Sequence, residues 1–137
     1  MKITQESDYA MRIVLFLCRL GVGKKIEAKA ISEAEGVSLR FTLKILRKLT
    51  HRGIVASFRG VHGGYTLAKD PQEITMLDVI EAVEGEIFIN RCLNSKEKCN
   101  VQRGNVCAVH KELARVQRNL LEDLSSVTFK KLMGDEQ

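Results

Sequence analysis

The sequence has a single proline, Pro71, no low-complexity tract and no internal repeat. A proline-rich linker and a solenoid of stacked units are therefore excluded. No window approaches the roughly 18 consecutive apolar residues of a membrane span. The N-terminus, Met1 to Asp8, carries early acids and no apolar h-region, so no secretory signal is visible. Cytoplasmic residence is the expectation, with no membrane partner. No nucleophile–base pair stands out either. The one glycine cluster, Gly60 to Gly64, falls between two expected strands and not ahead of a helix, so it does not read as a phosphate loop. An enzyme is not expected.

The chain has 137 residues, 45% of them hydrophobic, and a formal charge of +5. That is enough for a modest core in one domain, or a small domain plus an appendage. The charge is uneven. Residues 1–66 hold 12 Lys/Arg against 5 Asp/Glu, and residues 67–137 hold 10 against 12. The N-terminal half is thus the basic end, and a polyanion is its natural partner.

Helical spacing runs from about Ser7 through Ala10, Ile13, Val14, Leu17 and Leu20 to Gly21. A short second helix is expected over 28–35, ended by Gly36, whose freedom at positive φ suits a helix exit. Ser38 then caps a third helix through about His51, with Leu39, Leu43, Leu46 and Leu49 as its buried stripe. Helix, glycine turn and capped basic helix form the helix-turn-helix pattern. Strands at 54–59 and 65–67 around the 60–64 turn make a hairpin wing. Thr75 caps a helix from Met76 to about Glu84, which Gly85 ends. The fold class is therefore mainly α with a small β-hairpin wing. A winged helix-turn-helix DNA-binding domain is expected over 1–85. A cysteine-bearing loop and a long C-terminal dimerisation helix are expected over 86–137.

In a helix-turn-helix the start of the second helix lies nearest the bases. Ser38, Leu39, Arg40, Thr42 and Leu43 occupy that start. Arg40 suits a guanine edge, and Thr42 offers a hydroxyl and a methyl. Lys44, Arg47 and Lys48 suit phosphates, and Arg59 suits the backbone or minor groove from the wing. Ser57 and His62 are weaker candidates. Gly63 and Gly64 allow the wing backbone a close approach. The partner expected is double-stranded DNA, and a winged helix used for protein contacts is the alternative.

Val109, Leu113, Val116, Leu120, Leu124 and Val127 continue a helical stripe with no obvious intrachain partner. Pairing with a second copy would bury it and suit a palindromic operator, and folding back on its own domain is the alternative. Of the four cysteines, Cys18 sits in an apolar run and reads as core. The others follow Cys92-x6-Cys99-x7-Cys107, with His110 three residues on and Lys96, Lys98 and Arg103 nearby. Three thiols at this spacing suit an iron–sulfur cluster, [2Fe–2S] or [4Fe–4S], with one further ligand. They equally suit a Cys3His zinc site or a cluster-free thiol switch.

Several stretches together resemble the IscR/NsrR group of winged-helix regulators, the Rrf-two superfamily. They are Met1 to Thr4 with Asp8-Tyr9-Ala10, Gly36-Val37-Ser38, Leu46 to Leu49, Gly53-Ile54-Val55, and Ser57 to Leu67. The wing stretch is the most specific, and the cysteine triplet comes next. The resemblance implies a homodimeric transcription regulator, with repression the expected sign. It implies that Cys92, Cys99 and Cys107 ligate a cluster sensing iron–sulfur status, nitric oxide or redox state. It also implies His110, or Asp8 from the partner subunit, as the fourth ligand. A zinc-stabilised interaction module and a thiol-switch regulator remain the alternatives.

Overall fold

The computed structural model describes residues 2–94 and 106–135. Six α-helices and one two-stranded sheet follow in chain order among these residues. Helix α1 spans Gln5–Leu20, beginning two residues earlier than its apolar spacing indicates, because Thr4 caps it by accepting from the Ser7 N–H. Its Ala10, Ile13, Val14, Leu17 and Cys18 face the core. Helix α2 (Ala28–Glu35) ends at Gly36 in the left-handed region, with φ 67°. Ser38 then caps α3 (Leu39–His51) by accepting from the Phe41 N–H. A cap of this kind contributes roughly 1 kcal/mol. Arg12 of α1 holds the end of α2 through the Glu35 carboxylate at 3.3 Å.

The wing strands β1 (Val55–Phe58) and β2 (Gly64–Leu67) pair antiparallel, Val55 opposite Leu67 and Phe58 opposite Gly64. Ile26 adds a bridge to the outer side of Tyr65, with N–O distances of 2.8 and 2.9 Å. A 3-10 turn at Pro71–Glu73 leads into α4 (Met76–Glu84). Thr75 and Asp78 close a reciprocal capping box at its start. These elements appear in the expected order, with the strands one residue shifted at their ends.

A second 3-10 turn, Arg91–Leu93, precedes α5 (Ala108–Ser126), which has no buried residue. The chain then turns back. Helix α6 (Phe129–Asp135) packs on α1 and on the Pro71 turn, and Phe129 is fully buried in the main core. The return is fixed by Met76 N to Val127 O at 2.9 Å and Phe129 N to Ile74 O at 2.9 Å. Sequence periodicity indicates one helix and not this return. Through this return Phe129 joins the same core as the winged helix. Among the described residues no helix is long and apolar enough to cross a membrane.

Candidate nucleic-acid interface and cysteine centre

Helix α3 buries Thr42, Ile45, Leu46 and Leu49. These positions are spaced 3, 1 and 3, which is one helical face. Leu39 and Leu43, expected in the core stripe, point outward instead. Thr42, expected at the bases, is fully buried, and its hydroxyl has no hydrogen-bond partner among the described residues. It cannot reach a groove. Ser38, Leu39, Arg40, Leu43, Lys44 and Arg47 remain exposed along the outer face.

Lys48 also departs from its expected role. Its Nζ lies 2.9 Å from the Glu6 carboxylate on α1 and donates to the Val83 carbonyl on α4 at 3.3 Å. It is a strut joining three helices, because an ammonium this close to a partly buried carboxylate is held there. Lys44 stays exposed, 3.8 Å from Glu6.

Between α3 and the wing runs a groove of about 700 Å³, whose walls include Arg47, His51, Ser57 and Arg59. His62 is exposed at the tip beside it. The glycines of the wing have an internal reason. A Cβ on Gly63 would lie 2.4 Å from the Phe58 carbonyl, and one on Gly64 would lie 2.8 Å from the Ile26 carbonyl. Their lack of side chains lets the hairpin close and lets the Ile26 bridge form, whatever else approaches the tip. Lys25 is a further cation that the sequence does not single out. Its ammonium sits 4.2 Å from the Phe58 ring centre, adding a cation at the root of the wing. Nothing in the spacing signals this, since the Ile26 bridge that positions it is a tertiary contact.

Cys92 and Cys107 are half-buried free thiols. Cys92 belongs to the 3-10 turn, which packs on α5, and Cys107 is the N-cap residue of α5 without a side-chain capping bond. Ile89 N donates to the Gln117 amide oxygen at 3.0 Å, fastening the approach to Cys92 along the same helix. His110 is half-buried in the first turn of α5. Cys99, Lys96, Lys98 and Arg103 lie outside the described residues. Among the described residues no three His, Cys, Asp or Glu side chains gather closely enough to hold a metal ion. Asp8 is exposed near the start of α1, 3.7 Å from Arg12. Two free thiols on packed elements, with a histidine one turn on, fit a soft metal group as a donor set. Cys18, in contrast, is core. Burial first, and Asp70 second, push its thiol up to about 11.

Comparison with known proteins gives a consistent picture. Residues 3–135 match the model of the Rrf2 family, described as an iron-dependent transcriptional regulator. The transcriptional regulator IscR of Photorhabdus laumondii is 30% identical over 137 residues, covering the whole chain and 82% of that protein. The solved structure of T. potens IscR superposes with a TM-score of 0.76 at 24% identity, over all of this chain and 89% of that one. CymR, the global cysteine regulator of B. subtilis, gives 0.78 at 24% identity, over all of this chain and 99% of that one. These folds match the winged helix with its wing and C-terminal helices, and the relatives are regulators, not enzymes. The chain belongs to the Rrf2 family of transcriptional regulators, and it is a DNA-binding winged-helix protein.

Proposed function

We propose that the chain is a homodimeric cytoplasmic repressor whose affinity for a palindromic operator is set by an iron–sulfur cluster. The ligands are Cys92, Cys99 and Cys107, completed by His110 or by Asp8 from the partner subunit. The observation that carries this reading is that free Cys92 lies on a turn packed against α5, the helix whose N-cap residue is free Cys107. The family's iron dependence and the IscR relatives support it. When bound, a cluster supplies redox and nitric-oxide reactivity at these thiolates.

The chain's own residues do the rest. Each α3 enters a major groove, where Arg40 reads a base edge and Lys44 and Arg47 neutralise phosphates. Arg59 and His62 bring the wing to the flanking groove, over the backbone that Gly63 and Gly64 keep close. A shift of the Cys92 turn passes to α5 through Ile89 and Gln117. It passes to α3 through the Val83 carbonyl at the end of α4, which Lys48 holds.

The test is the visible spectrum of protein purified without oxygen, with iron, sulfide and zinc assayed on the same sample. Broad visible absorbance with matched iron and sulfide is expected, and Asp8→Ala against His110→Ala then identifies the fourth ligand. Colourless protein with stoichiometric zinc would overturn the cluster. Colourless, metal-free protein that resists reconstitution would turn the reading to a thiol switch.

A further inference from the structure

Two leucines stand on the outer face of α3, outside the buried core. Leu39 is 43% exposed and Leu43 is 38% exposed. They lie four residues apart, so they are neighbours on one face of the helix. Arg40, Lys44 and Arg47 are exposed around them, and with Ser38 they line a surface hollow of about 730 Å³. Leu43 also reaches the groove shared with the wing.

An apolar pair ringed by cations suits a partner that offers both an apolar group and negative charge. The polyanion this helix already faces meets both needs. Leucine has no donor or acceptor, so it cannot read a base through hydrogen bonds. The apolar group that a base pair presents in the major groove is the C5 methyl of thymine.

We propose that Leu39 and Leu43 form a methyl-reading surface that selects thymine in each half-site, beside the base read by Arg40. This rests on the DNA-binding reading and adds the identity of the base. Leu43 touches the methyl and Leu39 flanks it one turn earlier, so an A·T pair is preferred there over G·C by apolar contact alone.

The test uses the full chain purified without oxygen and a pool of random-sequence duplexes. The best-bound duplex is remade with deoxyuridine in place of each thymine in turn, which removes only the methyl. At one thymine per half-site, the expected loss of wild-type affinity is about fourfold, the value of one buried methyl group. Leu43→Ala should lose that sensitivity, and Leu39→Ala should reduce it. The proposal is overturned if no replacement weakens wild-type binding, or if Leu43→Ala remains as sensitive as wild type. Salt-dependent binding to unselected duplex is measured in parallel. If it persists without methyl sensitivity, the proposal fails alone. If it is absent, the DNA-binding reading fails as well.

Discussion

Thr42 is the residue on α3 whose chemistry and place disagree most. Its hydroxyl is buried with no partner among the described residues, which costs about 1–3 kcal/mol relative to a satisfied group. Thr42→Val keeps the shape and removes the hydroxyl. It should raise stability by about 1 kcal/mol in urea unfolding, with DNA affinity unchanged. A fall in affinity would restore Thr42 to the bases. The sequence could not settle this face. Leu39, Leu43, Leu46 and Leu49 and the set Thr42, Ile45, Leu46 and Leu49 both satisfy helical spacing, and the choice depends on what α3 packs against. Cys18 was legible, because its neighbours Val14 and Leu17 bracket one buried face. Its thiol, raised from 9.0 to about 11, has a consequence for pH. The folded chain keeps the proton where the unfolded chain loses it, so stability falls as pH rises from 9 towards 11. Unfolding midpoints of wild type and Cys18→Ala across that range should differ in slope, steeper for wild type. Parallel profiles would sink the assignment.

At the scale of elements, α3 divides its cations between two tasks. Arg47 is exposed beside the wing groove, while Lys48 is tied to Glu6 and Val83. The salt dependence of DNA binding separates these roles. Arg47→Met should lower the slope of log affinity against log salt by about 1, the loss of one phosphate contact. Lys48→Met should leave the slope alone and cost about 1 kcal/mol of stability by removing the strut. An equal loss of slope in both variants would return Lys48 to the phosphates. The elements carrying these residues were plain in the sequence, since Gly36, Ser38, Gly53 and the Thr75–Asp78 box act through local chemistry. Helix α6 was not. Val127 and Thr128 break the helix in an extended conformation without glycine or proline, and seven residues give too short a period to read. Only the tertiary burial of Phe129 reveals it. Of the cysteine centre, the thiols and their spacing were legible. The packing of the Cys92 turn on α5 was not, because it is a tertiary contact, fastened nearby by Ile89 N and the Gln117 amide oxygen.

For the whole molecule, α5 is the element left incomplete. It is fastened to the body beside Ile89 and again at Val127, yet none of its residues is buried. Val109 is 64% exposed and Val116 is 43% exposed, while Leu113, Leu120 and Leu124 of the same stripe are half-buried and α5 packs on α4. A helix of 19 residues with such a stripe gains from a second copy in a two-fold arrangement. That arrangement would also set the spacing of the two α3 helices on DNA. Val116→Glu tests it with little risk to the protomer, because the side chain already faces solvent. The introduced carboxylate would stand unpaired in the seam, and its desolvation opposes association. Sedimentation should show the mass falling from a dimer to one chain at micromolar concentration while helix content holds. The two heads would then bind their half-sites independently. The effective concentration that linkage provides, of order millimolar, would be lost, and operator affinity should drop by roughly 100-fold or more. Affinity for an isolated half-site should not change. A variant that keeps the dimer mass and full operator affinity would mean that α5 does not form the dimer seam, and that its stripe serves another contact.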